Sequence, residues 1–186
     1  MTRRELMTPV LILAVVAATL LIVNLPRRES PPAPLYQYSD LIERWAGEYR
    51  VDPHLVAAVI ENESAFDPQR LSPEGAVGLM QILPSTAEIS AAAVGMSDFT
   101  ADRLWDPSVN IRLGTHYLAT LLEDFADDNV ASLAAYNAGP GQVQKWQQTE
   151  RWQRRSGVDR IPLMETRSYV LLVLEDYERF SRSRSE

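Results

Sequence analysis

Apolar residues recur at helical spacing from residue 39 to about residue 182, and no stretch alternates between apolar and polar residues for long. This pattern predicts a mainly α domain over residues 39–182. The predicted helices begin at Ser39, Asp52, the stretch "LPSTAEIS", Asp106 and Asn129, and a last helix carries Tyr169, Val170, Val173, Leu174 and Tyr177. The polar stretch between "GPG" and that last helix is predicted to be rich in turns.

Several of these helices begin with residues that are typical of N-caps. Asp52 and Asp106 each precede a proline, which suits the first position of a helix. Ser85 and Glu88 have the spacing of a capping box, and Asn129 precedes a short alanine-rich helix. The sequence therefore predicts a domain that is held together by helix packing.

The run "PVLILAVVAATLLIVNL", residues 9–25, contains no charged residue. It is slightly shorter than the ~20 apolar residues of a membrane-spanning helix, but longer than the ~7–15 of a secretory signal. No small-x-small cleavage site follows it, so residues 1–25 are predicted to be an uncleaved signal anchor, with a cleaved signal peptide as the alternative. The proline-rich residues 26–38 are predicted to be an extended linker.

Composition narrows the classes of partner. The chain has 186 residues, 46% of them hydrophobic, which is enough for one sizeable core. Its formal net charge of −7 argues against nucleic acid, because phosphate backbones attract clustered Lys and Arg. The chain has no cysteine, and His54 and His116 have no second ligand at metal spacing, so no metal or cofactor is predicted.

The stretch "AVIENESAFDPQ" places two glutamates, Glu61 and Glu63, at the end of an apolar helical run. At about 100° per residue, Glu63 falls about 20° from Val56, inside the apolar arc, whereas Glu61 falls about 140° away. The pattern predicts that Glu63 faces the core and that Glu61 faces water.

A carboxyl group on a core-facing stripe is costly to ionise, so its pKa is expected to rise toward neutrality. That protonation state suits a general acid, and the helix is predicted to end just after Glu63, where a cleft could open. The alternative is that Glu63 is hydrogen-bonded or ion-paired to a neighbouring helix and only stabilises the fold.

The residues that follow form a recognisable pattern. The segment "ESAFDPQRLSPEGAVGLMQILPSTA" resembles the signature of the soluble lytic transglycosylase family, glycoside hydrolase family 23, which is related to goose-type lysozyme. The blocks "LWDPSVNIRLGTHYLATLL", "AAYNAGPGQV" and "ETRSYVLLVL" follow in the family order, so the resemblance covers nearly all of residues 39–180. It implies a lysozyme-like helical domain.

The resemblance implies that Glu63 is a catalytic acid and base acting on peptidoglycan glycan strands, at the β-1,4 bond between N-acetylmuramic acid and N-acetylglucosamine. The carboxyl group would protonate the leaving oxygen and then take the proton of the muramoyl 6-hydroxyl, which leaves a 1,6-anhydro end without using water. Two alternatives stay open, a goose-lysozyme-like hydrolase and a non-catalytic wall-binding module.

The resemblance also implies which other residues bind the sugar chain. In the loop after the catalytic glutamate, the residues that would line the cleft are Ser72, Gly78, Leu79, Met80 and Gln81. Tyr136 would donate a hydrogen bond to the carboxylate or the sugar, and Asn137 would bind the substrate. Glu165 would be a cleft residue or a structural partner.

A second carboxyl group is the feature that an ordinary glycosidase needs, at about 5–9.5 Å from the first. Asp67 precedes Pro68 and is predicted to cap a turn, and Glu74 lies in the loop "SPEG". Neither has the apolar setting of Glu63, so the sequence offers no convincing second carboxylate.

Together with the predicted anchor, the resemblance implies a single-pass protein of a bacterial inner membrane with its catalytic domain in the periplasm. A soluble periplasmic protein, after signal cleavage, is the alternative. The extended linker would allow about 30 Å of reach at ~3.1 Å per residue. We therefore expect wall remodelling close to the membrane, with an envelope-spanning machine as a candidate partner.

Overall fold

A computed structural model describes residues 36–153 and 156–182, which lie in one unit, Pro34–Glu186. The α-helices in this part of the chain are α1 (Ser39–Tyr49), α2 (Pro53–Ser64), α3 (Pro84–Ala93), α4 (Pro107–Asp124), α5 (Asn129–Ala138), α6 (Pro140–Gln148) and α7 (Met164–Arg182). Short 3₁₀ helices at Ala101–Trp105 and Val158–Arg160 precede α4 and α7. The prediction of a mainly α domain is confirmed.

The predicted anchor, residues 1–25, and nearly all of the predicted linker, residues 26–38, lie outside the described residues. Within the described ranges, no helix combines the length and the apolar character that a bilayer crossing requires. The anchor and the linker therefore stay predictions.

The core forms around α2, which is buried almost all round. Its buried residues are Leu55, Val56, Ala57, Ala58, Val59, Ile60 and Ser64. The helix packs against α7 and α1, while α4 and α7 both pack against α5. A helix enclosed in this way needs small side chains on the faces where neighbours come close, and Ala57 and Ala58 supply them. Glu63 thus lies in the last turn of the central helix of the domain.

Two predicted helix starts are confirmed by hydrogen bonds. Asp52 Oδ1 accepts the backbone N–H of His54 at 2.9 Å, and α2 then starts at Pro53. Asp106 Oδ1 accepts the N–H of Ser108 at 2.8 Å, and α4 starts at the proline between them. Local sequence therefore determines where α2 and α4 begin.

Other helix boundaries differ from the prediction. Ser85 and Glu88 do not form a capping box, because α3 starts at Pro84 and its N-cap position has no side-chain hydrogen bond. Asp128, rather than Asn129, caps α5, since its carboxylate accepts the N–H of Ala131 at 3.1 Å. Asp128 and Asn129 are both good N-cap residues, so the sequence alone does not distinguish them.

The stretch that was predicted to be rich in turns contains α6. Gly139, with a φ of 86°, ends α5 and lets the chain turn directly into Pro140 at the start of α6. Only Val143 and Trp146 of this helix are buried. Two apolar residues are too few to produce a periodic signal, which is why the pattern missed the helix.

Between α2 and α3 the chain folds back on itself in an irregular loop. Val77 forms isolated antiparallel bridges with Leu71 and with Ile82. The N–H of Val77 donates to the carbonyl of Ile82 at 3.0 Å, and the N–H of Ile82 donates back at 3.2 Å. We call residues 77–82 the cleft loop.

Candidate active site

Glu63 is followed by a sharp change in chain direction. Ala65 and Phe66 both adopt left-handed backbone conformations, with φ of 51° and 60°. Residues other than glycine seldom adopt this conformation, and when they do they cluster at functional sites. Phe66 is buried, so the packing of its ring helps to hold the turn that ends α2.

The carboxyl group of Glu63 is shielded from water. Burial raises the pKa of Glu63 from 4.5 to about 7, against the opposing effects of the Tyr169 hydroxyl and the Arg70 guanidinium. A carboxylic acid with this pKa can both give and take a proton near neutral pH. The raised pKa that was expected for Glu63 is thus found. By exposed surface, however, Glu63 and Glu61 are both partly buried, so the predicted contrast between a core-facing and a water-facing glutamate is not seen.

Tyr169 of α7 faces this carboxyl group. Its hydroxyl acts on Glu63 as a donor and lowers the carboxyl pKa. The buried hydroxyl has no hydrogen-bond partner of standard geometry among the described residues. Donors beside catalytic groups often tighten only when substrate binds. From the sequence, Tyr169 was grouped only with the apolar residues of the last helix. The signal that could have singled it out is its hydroxyl, which needs a partner when it is buried.

Tyr136 of α5 also lies near the carboxyl group. Burial raises the pKa of the Tyr136 phenol well above its usual value, and the charge of Glu63 raises it further. The hydroxyl nevertheless donates to the carbonyl oxygen of Met80 at 2.8 Å. The proton that was predicted to reach the carboxylate or the sugar is used to hold the cleft loop, so Tyr136 joins α5 to that loop.

Gly78 and Gln81 shape the cleft loop, and both have positive φ, 75° and 44°. The N–H of Gly78 donates to the carbonyl of Arg70 at 2.9 Å. The amide nitrogen of Gln81 donates to the carbonyls of Arg70 and Gly78 at 3.1 and 2.8 Å. The side-chain N–H groups of Gln81 are therefore used within the loop, and its amide oxygen is the atom left to accept from a ligand.

Leu79 and Met80 were predicted to line the cleft, but their side chains are fully buried in the core. Met80 packs directly on the backbone of α4, since a Cβ atom on Gly114 would lie 2.8 Å from Met80 Cβ. Leu79 contributes its carbonyl oxygen, which accepts the hydroxyl of Ser64 at 2.8 Å. Both residues position the loop, and neither presents its side chain to a ligand.

Ser72 and the acidic residues near it organise turns. Ser72 Oγ accepts the backbone N–H groups of Glu74 and Ala76 at 3.2 and 3.1 Å. Asp67 Oδ1 accepts the N–H of Gln69 at 2.9 Å, as predicted for a residue that caps a turn. The side chains of Asp67 and Glu74 are exposed, so the structure does not bring either into the shielded setting of Glu63.

Asn137 and Glu165 lie where α5 meets α7. The hydroxyl of Thr166 donates to Asn137 Oδ1 at 2.8 Å, which fixes the orientation of the amide. Asn137 is exposed, and its NH₂ group can donate hydrogen bonds to a ligand. Glu165, next to Thr166 in the first turn of α7, is exposed.

A cavity of about 370 Å³ opens beside the cleft loop and the end of α5. Its lining residues are Gln81, Ile82, Leu83, Thr86, Tyr117, Tyr136, Asn137, Ala138, Gly139 and Pro140. Glu63 does not line this cavity. Tyr136 does, and it also lies close enough to Glu63 for the glutamate charge to raise its pKa. Tyr117, which the apolar pattern placed in a buried stripe, has its ring centroid 5.4 Å from that of Tyr136. Aromatic rings beside amide groups suit a ligand with both apolar and polar faces.

A second cavity, of about 480 Å³, lies between the end of α1 and α4. Tyr49 and His116 are among its lining residues, and none of the groups that shift the pKa of Glu63 lies there. We therefore place the candidate site at the smaller cavity. Within the residues that the structure describes, no group of three or more His, Cys, Asp or Glu side chains is arranged to hold a metal ion.

The described helices thus place the carboxyl group of Glu63 at the end of the central helix, and a cavity opens beside the loop that follows. The family model of the transglycosylase SLT domain matches residues 40–157 of this chain. The chain belongs to the transglycosylase SLT domain family.

Three relatives illustrate the match. The soluble lytic murein transglycosylase of Escherichia coli (strain K12) is 37% identical over 148 residues, which are 78% of this chain and 23% of that protein. The membrane-bound lytic murein transglycosylase C of Actinobacillus pleuropneumoniae (serotype 5b, strain L20) is 38% identical over 118 residues, 59% of this chain and 32% of that protein. The X-ray structure of an inactive mutant of the lytic transglycosylase Slt of Pseudomonas aeruginosa matches with a TM-score of 0.74 and 33% identity, over 80% of this chain and 24% of that one. This chain therefore spans less than a third of the length of each relative.

Proposed function

We propose that this chain is a peptidoglycan lytic transglycosylase in which Glu63 serves as general acid and then as general base. The observation that carries the proposal is the shielded carboxyl group of Glu63, whose pKa is about 7. Family membership and the names of the two curated relatives support the substrate class. The Pseudomonas relative is inactive as a mutant in which a glutamate is replaced by glutamine, which supports a glutamate as the essential group.

In the first proposed step, protonated Glu63 gives its proton to the glycosidic oxygen as the bond from that oxygen to C1 of N-acetylmuramic acid breaks. In the second step, the ionised carboxylate takes the proton of the muramoyl 6-hydroxyl, and the 6-oxygen bonds to C1. That proton restores Glu63, so no water is consumed. A pKa of about 7 suits both steps, because neither protonation state is strongly favoured at neutral pH.

The surroundings of Glu63 support a mechanism with one carboxyl group. Tyr169 and Arg70 are the side chains that shift its pKa, and no second carboxylate is among them within the described ranges. Two carboxylates at the spacing of a hydrolase would repel each other and raise one pKa further. The muramoyl 6-hydroxyl is therefore proposed to take the place of a second catalytic group.

The sugar chain is proposed to bind in the cavity beside the cleft loop. Gln81 and Asn137 offer an amide oxygen and an amide NH₂ group there, which suit acetamido and hydroxyl groups. The rings of Tyr117 and Tyr136 offer apolar surface. Glu165 and Ser72 stay candidates for contacts with sugars farther along the strand.

A hydrolase on the same scaffold is the first rival hypothesis, and it differs only in what attacks C1. A non-catalytic wall-binding module is the second rival. The shielded acid argues against the second rival, because burying an ionisable group has an energetic cost that a binding module does not need.

Digestion of purified peptidoglycan sacculi tests the proposal, with the release of soluble fragments as the readout. Wild-type protein is expected to release fragments, and Glu63→Gln should lower the rate at least ~1000-fold, since the amide cannot exchange a proton. Glu61→Gln is the matched control, with the same change two residues away, and should keep nearly full activity. Equal loss in both variants would contradict the assignment of Glu63, and no release by the wild type would favour a binding module.

The location of the enzyme is a separate proposal. Relatives include both soluble and membrane-bound enzymes. We propose that residues 1–25 anchor the chain in the inner membrane with the domain in the periplasm, which limits cleavage to wall within reach of the linker. Fractionation of cells tests this: the protein should stay with the membrane in high salt, and recovery in the soluble periplasmic fraction would contradict it.

A further inference from the structure

Asn110 of α4 is a buried polar residue to which the proposed reaction gives no role, with 1% of its surface exposed. Its Oδ1 accepts the N–H of Met80 at 2.8 Å. Its Nδ2 donates to the carbonyl oxygens of Val77 and Leu104, at 2.8 and 2.9 Å. Two of these three bonds go to backbone groups of the cleft loop. The amide thus supplies partners for a loop whose irregular path offers few of its own.

The same loop is tied to both sides of the candidate site. Ser64, which directly follows Glu63, donates its hydroxyl to the carbonyl of Leu79. Tyr136, whose phenol pKa is raised by the charge of Glu63, donates its hydroxyl to the carbonyl of Met80. Asn110 holds the N–H of the same Met80 residue, so one residue of the loop is fixed from α4 and from α5.

The face of α4 that carries Asn110 fits the loop closely. Gly114 lies four residues further on, and therefore on the same face of the helix. A Cβ atom on Gly114 would collide with Met80, at 2.8 Å from its Cβ. On the loop side, a Cβ atom on Gly78 would collide with Asn110 Nδ2 and lie 2.9 Å from the carbonyl oxygen of Leu104. The contact is thus built from a buried amide and two glycines. A side chain at either glycine would displace a neighbouring atom.

We propose that Asn110 is a positioning residue for the reaction, which fixes the cleft loop and thereby holds Tyr136 and the end of α2 in the arrangement that shields Glu63. The inference rests on the proposed function for its effect on catalysis. It follows that loosening the loop lets water reach the Glu63 carboxyl group. The titratable and charged groups that face this carboxyl are Tyr136 from α5, Tyr169 from α7 and Arg70, and none of them is changed by a substitution at Asn110.

Two substitutions test this proposal in different ways. Asn110→Leu keeps a side chain of similar size and removes all three hydrogen bonds. Gly114→Ala leaves the amide in place and displaces Met80, and alanine is favoured over glycine within a helix by about 1 kcal/mol, so this variant does not weaken α4 itself. Trp152→Phe is the control, because it removes the hydrogen bond of another buried side chain, from Trp152 Nε1 to the carbonyl of Gly157 at 3.0 Å.

Two readouts distinguish positioning from a general loss of stability. In both test variants kcat is expected to fall about ten- to a hundredfold, with a smaller change in KM, because a shift of an ångström in a site has effects of this size. The pKa of Glu63, measured without substrate by NMR of ¹³C-labelled carboxyl groups, should fall from about 7 toward 4.5. Trp152→Phe should leave kcat and the Glu63 pKa unchanged at a temperature where it is folded.

A folded Asn110→Leu variant with a wild-type Glu63 pKa would overturn the proposal, whatever its kcat. If circular dichroism shows that Asn110→Leu does not fold, the Gly114→Ala variant is the test, and a wild-type Glu63 pKa in that variant would overturn the proposal equally. The NMR titration needs no substrate. Failure of the wild type to cleave peptidoglycan would therefore refute the proposed function, whereas an unchanged pKa in the variants would refute the positioning role.

Discussion

The hydroxyl of Tyr136 donates to the carbonyl oxygen of Met80 at 2.8 Å, although the carboxyl group of Glu63 lies close enough to act on the same phenol. Tyr136 is therefore committed to the backbone of the cleft loop. Tyr169 is the tyrosine whose buried hydroxyl faces the acid without a full hydrogen bond in the described part of the chain. The two tyrosines are expected to respond differently when their hydroxyls are removed.

Tyr136→Phe is expected to lower the free energy of unfolding by roughly 1–3 kcal/mol, because the buried carbonyl of Met80 loses its partner. Urea denaturation followed by circular dichroism measures the change. Tyr169→Phe is the matched control and should lose much less stability, since its hydroxyl has no full bond to lose. Equal losses in the two variants would contradict the hydrogen-bond assignment.

Tyr169→Phe is expected to lower kcat by about tenfold, because in the proposed mechanism its hydroxyl would donate to the Glu63 carboxylate that forms after the first proton transfer. The hydroxyl lowers the pKa of Glu63, so its removal should raise that pKa. The alkaline limb of the pH–rate profile should accordingly move to higher pH. A wild-type kcat and profile in this variant would show that Tyr169 takes no part in the reaction.

The expected pH dependence of the wild type follows from the proposed first step, in which Glu63 would have to be protonated. Since its pKa is about 7, kcat/KM should be level below that pH and fall about tenfold per pH unit well above it. Initial rates on soluble glycan fragments, measured from pH 5 to about 9, give the profile. A rate that holds constant up to pH 9 would mean that no group with the pKa of Glu63 has to carry a proton.

Stability should depend on pH in a way that Glu63→Gln removes. The folded-state pKa, about 7, exceeds the ordinary value of 4.5, so the folded protein binds this proton more tightly than the unfolded chain does. The contribution is present in full below pH 4.5 and is lost as the pH rises to about 7.

Relative to the wild type, Glu63→Gln should therefore gain stability at pH 8 but not at pH 4, by up to about 3 kcal/mol. Urea denaturation at the two pH values measures this difference, with Glu61→Gln as the control for loss of a nearby charge. A gain that is the same at both pH values would contradict the raised pKa.

The sequence predicted the helical class and the position of Glu63 because both follow from local rules. Helical period placed Glu63 at the end of the apolar helix that forms the core, and the pairing of aspartate with proline located two helix starts, at Asp52 and Asp106. These features depend on neighbours within one or two turns of helix, which the sequence displays directly.

The parts of the site that the sequence missed depend on contacts between distant segments. The family motif predicted that Met80 lines the cleft. Its side chain is buried instead, because Gly114 lets the backbone of α4 approach it closely. In the sequence, nothing distinguishes Tyr169 from its apolar neighbours on the last helix. Its position beside Glu63 results from the packing of α7 against α2. The loop from Val77 to Ile82 has no regular element whose period could be recognised, so its path was not predictable.

In the proposed mechanism, Glu63 is the single catalytic group, and a hydroxyl of the sugar takes the place of water. Digestion of peptidoglycan in ¹⁸O-enriched water, followed by mass spectrometry of the new muramic acid ends, distinguishes this mechanism from hydrolysis. The wild type should produce 1,6-anhydro ends that carry no ¹⁸O, and Glu63→Gln should produce no new ends. Reducing ends labelled with ¹⁸O would contradict this mechanism, because they would show that water attacks C1.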